Sequence, residues 1–191
     1  GESITLTEDE LAAVVDVVIE TNNGRKPVLL GCGGSDTRVI GEKIARFTER
    51  FNPDGFLSSS PAYNKPTQEG IYQHFKSVCA QTDKPVVLYN VPGRTGSNML
   101  AETTLRLARD IENVVGVKEA SGDLMQGMNI IKHKPEGFAV LSGDDPFAIG
   151  QMGAGYDGVI SVIGNAFPKQ YSDLVRAALH NDFATAQQLQ M

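Results

Sequence analysis

Short, continuous apolar runs along this chain alternate with stretches in which apolar residues recur at helical spacing. Six short apolar runs, rich in β-branched residues, have the length and composition of buried strands. These runs occupy residues 28–30, 56–57, 86–90, 114–118, 139–142 and 158–161. Each run is followed by a segment in which apolar residues recur every three or four positions, the period of an α-helix. Strands joined by crossover helices form a parallel sheet covered on both faces, so the sequence predicts an α/β fold.

The first helix is predicted from a start signal and an apolar stripe. Thr7 and Glu10 form the pattern of a capping box, in which each side chain bonds the backbone of the other residue. Apolar residues then recur with helical spacing at positions 11, 14, 15, 18 and 19. We therefore expect a helix that buries this whole stripe.

Two architectures fit alternating strands and helices: an open doubly wound sheet and a (β/α)₈ TIM barrel. The glycine-rich segment 31–36 does not match the dinucleotide-binding pattern G-x-G-x-x-G, because Asp36 stands where the third glycine belongs. We therefore favour the barrel. A barrel needs eight strand–helix units and six are found. We expect residues 1–191 to form a single barrel domain that lacks the first two strands and part of the C-terminal helical segment.

Charge and cysteine content narrow the classes of function. Among 191 residues, 17 are Lys or Arg and 23 are Asp or Glu, which gives a net charge of −6. An acidic chain is poorly suited to nucleic acid or to an anionic membrane, and no apolar run approaches the roughly 20 residues that span a bilayer. The two cysteines, Cys32 and Cys79, are far apart, which argues against a disulfide scaffold. A cytoplasmic protein is expected.

Polar residues collect at the carboxyl ends of the predicted strands, where α/β barrels carry their catalytic groups. Lys118 ends an apolar strand, where a solvated lysine is not expected. An apolar site disfavours the charged ammonium, and the neutral amine then forms a Schiff base with a carbonyl. The alternative is a structural ion pair with Glu119 or with another acid. Tyr89 ends another strand, where it either relays protons or packs locally.

Other polar residues near these ends leave further alternatives open. Arg94 follows a strand by four residues and either holds a substrate carboxylate or is a solvated loop charge. Asp144 and Asp145 suggest a metal pair, but no third ligand lies at a suitable spacing, so helix capping before Pro146 is the favoured interpretation. The three histidines lie on separate predicted helices and form no cluster; they are His74, His133 and His180.

Six motifs, in order, resemble those of the dihydrodipicolinate synthase family, within the pyruvate-dependent class I aldolase superfamily. Two of them are Tyr-Asn-Val-Pro-Gly-Arg-Thr-Gly at 89–96 and Gly-Val-Lys-Glu-Ala-Ser-Gly at 116–122. The other four lie at 1–7, 63–70, 142–145 and 158–161. The resemblance covers essentially the whole chain.

The resemblance implies a lyase that condenses pyruvate with L-aspartate 4-semialdehyde in lysine (diaminopimelate) biosynthesis. Lys118 matches the imine-forming lysine, Tyr89 a proton relay, and Arg94 the arginine that binds the aldehyde substrate. Tyr63 matches a relay tyrosine supplied across a dimer interface. The pyruvate site is lined at positions that match Gly143 and Ile160. The resemblance further implies a homotetramer, built as a dimer of dimers, with no metal and no organic cofactor.

The chain departs from the family pattern at its start. The family's third relay residue is a threonine just before the position that matches Gly1, so we expect that this chain alone does not form a competent site. A non-catalytic chain that assembles with partners is therefore one alternative. Another is a different aldolase of the superfamily, such as N-acetylneuraminate lyase or a keto-deoxy sugar acid aldolase, although these generally lack the arginine that Arg94 matches.

A second departure concerns regulation by lysine. Lysine-inhibited members of the family bind lysine in a pocket at the dimer interface. Val39 and Ala62 stand where those members have an acid and a tyrosine. The other matching positions hold Glu8, Leu11 and Ser35. The resemblance therefore implies weak or absent inhibition by lysine.

Overall fold

Six parallel strands form one sheet in a computed structural model that describes residues 2–190. They are β1 (Leu29–Gly31), β2 (Gly55–Ser59), β3 (Val86–Asn90), β4 (Val114–Glu119), β5 (Ala139–Ser142) and β6 (Gly158–Val159). Each strand pairs with the next one along the chain, so the strand order never reverses. Reversal is the mark of a doubly wound sheet, and sequential order is that of a barrel wall. The predicted parallel α/β sheet of six strands is confirmed.

Helices precede the first strand, join the others and follow the last. The α-helices are α1 (Glu8–Asn22), α2 (Thr37–Phe51), α3 (Gln68–Cys79), α4 (Pro92–Thr95), α5 (Ala101–Asp110), α6 (Leu124–His133), α7 (Ala148–Gly153), α8 (Pro168–Leu179) and α9 (Phe183–Gln190). Three short 3₁₀-helices span Ser3–Thr5, Asp145–Phe147 and Ile163–Asn165. Within residues 2–190, none of the helices is both long enough and apolar enough to cross a membrane. Gly1, which opens the first motif, and Met191 lie outside the described residues.

Helix α1 begins as predicted but buries less than predicted. Thr7 Oγ1 accepts a hydrogen bond from Glu10 N, and Glu10 Oε2 accepts one from Thr7 N at 2.8 Å, so the capping box is confirmed. Val14 and Val18 remain 51% and 44% exposed, whereas Val15 is buried. The expectation of a fully buried stripe is wrong, because two of its valines remain about half exposed.

One face of the sheet packs into the main core and the other does not, and this difference locates the candidate site. Successive side chains of a strand point to opposite faces. On one face, Leu88 and Val117 are register partners and are fully buried in the main core, which the helices complete. The largest fully buried helical side chains of this core are Ile44, Ile71, Phe75, Leu107 and Ile130. The other face carries the polar residues discussed next.

Candidate active site

The register of the sheet places four residues side by side on the face opposite the main core. Ser59 pairs with Tyr89, Tyr89 with Lys118, and Lys118 with Leu141, across four neighbouring strands. Because register partners share a face, these side chains form one row near the carboxyl ends of the strands. The row brings together Lys118 and Tyr89, two residues that the sequence singled out separately.

Lys118 is buried, with only 7% of its surface exposed. Its Nζ lies 4.2 Å from the centre of the Tyr89 ring. Burial lowers the pKa of Lys118, and the charges of Asp145 and Asp144 act in the opposite direction. Glu119, the ion-pair partner considered from sequence, follows Lys118 in the strand and therefore points to the other face. Its carboxylate accepts hydrogen bonds from neutral groups there, so Glu119 is not the ion-pair partner of Lys118.

Gly143 gives Lys118 the room that it occupies. A Cβ at position 143 would lie 3.0 Å from Lys118 Cε and 2.5 Å from the Cβ of Ala120. The second distance is shorter than side chains tolerate, so alanine at this position would displace its neighbours. The backbone is fixed as well, because Gly143 N donates to Glu119 O at 2.9 Å. A residue without a side chain therefore lets the lysine extend past the end of β5.

Tyr89 is half-buried beside the lysine, and its surroundings keep the phenol protonated. Burial raises the pKa of Tyr89, the positive charge of Arg94 lowers it, and Asp144 raises it again. Arg94 itself is exposed on α4, the single helical turn that begins with Pro92 directly after β3. Gly96 ends this turn with a φ of 78°, a conformation that glycine adopts without strain. The turn thus carries an exposed guanidinium whose charge acts on the phenol.

The sequence predicts that Asp144 and Asp145, which follow β5, cap a helix near Pro146, but neither side chain does so. Asp144 occupies the position before a 3₁₀-helix, but its side chain makes no capping hydrogen bond. Asp145 Oδ2 instead accepts from Val162 N at 2.9 Å and Ile163 N at 2.8 Å, in a later segment of the chain. Burial raises the pKa of Asp144, and the charge of Lys118 opposes this shift. Among residues 2–190, no three His, Cys, Asp or Glu side chains converge as metal ligands would.

Tyr63 and Ile160 lie apart from the row. Tyr63 is 88% exposed, with a φ of 71°, and its backbone N donates to Thr95 O at 3.1 Å at the end of α4. The phenol is therefore largely open to solvent in this chain. Ile160 follows β6, is half-buried, and donates from its backbone N to Ser142 O at 2.9 Å. That bond holds it at the same edge of the sheet as Gly143.

The three histidines form no cluster, as predicted. His74 is buried in α3, and its Nδ1 lies 2.8 Å from Thr37 Oγ1. Burial lowers the pKa of His74 to about 4, so the ring is neutral near pH 7. His133 and His180 are exposed, and the Nδ1 of each is within hydrogen-bond distance of the backbone oxygen four residues earlier.

A buried polar network under the row was not predicted from sequence. Asn90 and Glu119 are register partners that lie one residue beyond Tyr89 and Lys118, on the core-facing side. The Glu119 carboxylate binds the amides of Asn90 and Gln126. A signal was available, since polar residues stand here at positions whose strand alternation points into the core.

Parallel strands in sequential order define part of an α/β barrel, with a buried lysine at the carboxyl end of one strand, where such barrels carry their functional groups. The family model described as "Dihydrodipicolinate synthetase family" matches residues 1–191. This chain belongs to that family.

Curated relatives and solved structures agree with this assignment. A 4-hydroxy-tetrahydrodipicolinate synthase of Flavobacterium psychrophilum is 52% identical over 180 residues, covering 94% of this chain and 61% of the relative. The crystal structure of dihydrodipicolinate synthase from Aquifex aeolicus superposes with a TM-score of 0.94 at 39% identity, covering 100% of this chain and 64% of that one. A structure described as a monomeric dihydrodipicolinate synthase variant also has a TM-score of 0.94, with 40% identity and coverage of 100% and 64%. The expected barrel fold is confirmed over the part that this chain spans.

Proposed function

We propose that this chain contributes the imine-forming lysine to the condensation of pyruvate with L-aspartate 4-semialdehyde, which gives 4-hydroxy-tetrahydrodipicolinate. The observation that carries the proposal is the burial of Lys118 beside Tyr89. The names of the relatives support the same reaction, although the chain spans only 61% to 64% of their length. Activity and substrates are therefore proposed on both grounds together.

The chemistry begins at the amine of Lys118. The lowered pKa of Lys118 increases the share of the neutral amine, which adds to the ketone carbon of pyruvate. Loss of water gives the imine, and loss of a methyl proton gives the enamine. The enamine carbon forms a bond to the aldehyde carbon of the second substrate. The amine of that substrate then attacks the imine carbon, closes the ring and releases the lysine. The imine withdraws electrons itself, so the proposal needs neither a metal nor an organic cofactor.

The neighbouring residues have complementary roles in the proposal. Tyr89 is a protonated phenol near Nζ, so it can donate a proton to the hydroxyl that leaves when the imine forms. The exposed guanidinium of Arg94 binds the carboxylate of the aldehyde substrate in this proposal, since guanidinium and carboxylate groups pair through two hydrogen bonds. Gly143 and Ile160 line the place where pyruvate binds. The arginine favours the synthase over N-acetylneuraminate lyase or a sugar acid aldolase.

Assembly with other copies is part of the proposal. Tyr63 is 88% exposed in this chain, which supports a relay role in the site of a second copy. We therefore propose a dimer in which Tyr63 is exchanged, and a tetramer of two such dimers. Analytical ultracentrifugation tests this state, and a stable monomer with full activity contradicts it.

The non-catalytic alternative has one observation in its favour. Within residues 2–190, β1 and β6 each pair with a strand on one side only. Unpaired strand edges promote association with other chains. A broad, non-cooperative thermal transition together with aggregation supports this alternative, whereas a cooperative transition of a defined oligomer contradicts it.

Reductive trapping is the direct test of the proposed chemistry. The protein is incubated with pyruvate and borohydride, digested and analysed by mass spectrometry. A carboxyethyl adduct on Lys118 is expected, and Lys118→Arg should abolish it. Lys132→Arg, on an exposed lysine of α6, is the matched control and should leave the adduct unchanged. A folded protein that also contains the family's relay threonine and forms no adduct on Lys118 refutes the proposed function.

A further inference from the structure

The carboxylate of Glu119 is buried among neutral groups. Only 1% of the residue is exposed. Its oxygens accept hydrogen bonds from Asn90 Nδ2 at 3.1 and 3.0 Å, from Gln126 Nε2 at 3.0 Å and from Ser121 N at 2.7 Å. Burying an ionised carboxylate is costly unless such bonds replace its water. An apolar side chain would fill the space without that cost, so the polar arrangement calls for a role beyond packing.

The bonds around Glu119 extend to the segment before α5. Asn90 Oδ1 accepts from Met99 N at 2.9 Å, and Asn90 Nδ2 donates to Asn98 Oδ1 at 2.8 Å. Gln126 Oε1 accepts from Asn98 Nδ2 at 2.9 Å. The network therefore joins the ends of β3 and β4, the segment that follows α4, and the first turn of α6. Every one of these connections lies on the core-facing side of the sheet.

The position of the network relates it to the row of the candidate site. Tyr89 and Lys118 are register partners, and the next register pair is Asn90 with Glu119. The side chains of the second pair bond each other directly, on the opposite face from the first pair. The carboxylate thus ties the two strands together one residue beyond the phenol and the amine. A change in that link moves both backbone positions that orient them.

We propose that Glu119 is a positioning residue, which holds Tyr89 and Lys118 at the separation that imine formation needs by bonding Asn90 and Gln126. This inference rests on the proposed function, because it assigns a role in the same reaction. Glu119→Gln keeps the size of the side chain but replaces one acceptor oxygen with an NH₂ group. That group faces donors from Asn90, Gln126 or Ser121, so at least one bond becomes a donor–donor contact.

The first measurement is the rate of imine formation in Glu119→Gln at saturating pyruvate. A displacement of about 1 Å costs up to about 100-fold in rate, so we expect a fall of about 10- to 100-fold per folded molecule. Glu112→Gln, at an exposed glutamate just before β4, is the matched control and should keep the wild-type rate. Wild-type kinetics in a folded Glu119→Gln protein overturns the inference, as does a loss that follows only the fraction folded.

A rescue experiment separates positioning from general destabilisation. The exchange Asn90→Asp with Glu119→Gln restores a carboxylate–amide pair in reversed order, and the new carboxylate at position 90 can still accept from Met99 N. We expect the double variant to form the imine faster than either single variant. Additive losses overturn the inference. Should Glu119→Gln fail to fold, Asn98→Ala, at the half-buried end of the network, gives a milder test with a smaller loss in the same direction.

A third measurement needs no pyruvate, so it tests the role of Glu119 separately from the proposed function. Competitive acetylation of lysines, read by mass spectrometry across a pH series, reports the pKa and access of Lys118 directly. In Glu119→Gln we expect the Lys118 midpoint to rise towards that of an ordinary lysine, because water reaches a loosened site. An unchanged midpoint contradicts the inference. A wild-type protein that forms no pyruvate adduct refutes the proposed function, while this midpoint still decides the role of Glu119.

Discussion

Acid should destabilise this protein through one buried histidine. His74 is 3% exposed, its Nδ1 bonds Thr37, and burial lowers its pKa from 6.5 to about 4, with the nearby Ser59 backbone opposing the shift. The folded state therefore favours the neutral ring. The unfolded state takes up a proton at higher pH than the folded state does. The free energy of unfolding is thus highest above pH 6.5 and falls as the pH decreases from there to about 4.

The size of this effect follows from the two pKa values. One pKa unit corresponds to about 1.36 kcal/mol, so the full difference is worth about 3 kcal/mol. Between about pH 7.5 and pH 5 the loss amounts to about 2 kcal/mol, because the folded ring stays mostly neutral there. Such a loss is a sizeable part of the stability of an ordinary domain.

The assay is urea unfolding of wild type and His74→Asn across this pH range. Asparagine keeps a polar atom near the position of Nδ1 but does not titrate. Carboxylates contribute equally to both proteins, so the difference between the two pH profiles isolates His74. We expect the variant to be less stable at about pH 7.5 and to lose about 2 kcal/mol less on acidification. His180→Asn, an exposed control, should follow wild type. Parallel profiles for wild type and His74→Asn would refute the reasoning.

Three further predictions concern the candidate site. Gly143→Ala should reduce pyruvate trapping on Lys118 by at least about tenfold, because the new Cβ displaces the lysine. Gly150→Ala is the control and should trap pyruvate normally, because a Cβ there meets nothing within 4 Å. Tyr89→Phe should slow imine formation by about 100-fold while pyruvate still binds, since it removes the proton donor and keeps the ring. Equal rates for wild type and Tyr89→Phe in stopped-flow measurements contradict the relay role. Millimolar lysine should inhibit condensation weakly or not at all, because positions 39 and 62 lack the acid and tyrosine of inhibited members; strong inhibition in a steady-state assay contradicts this.

Several sequence predictions are confirmed because they depend on patterns within a few neighbouring residues. The capping box at Thr7 and the six parallel strands follow from spacing that acts within a few residues. The prediction for Asp144 and Asp145 failed for the opposite reason. A favourable capping position before Pro146 was visible in sequence, but the carboxylate of Asp145 binds backbone groups 17 and 18 residues later. Local preference could not reveal that competing partner.

The sequence by itself determined the order of strands and helices and the apolar setting of Lys118, and its motifs indicated the family. Strand periodicity and turn signals act over short distances, which is why a single sequence carries them. Only the tertiary structure decided which residues meet. The register of β2 to β5 set Ser59, Tyr89, Lys118 and Leu141 in one row. The same register paired Glu119 with an amide and not with the lysine beside it, because neighbours in a strand point to opposite faces.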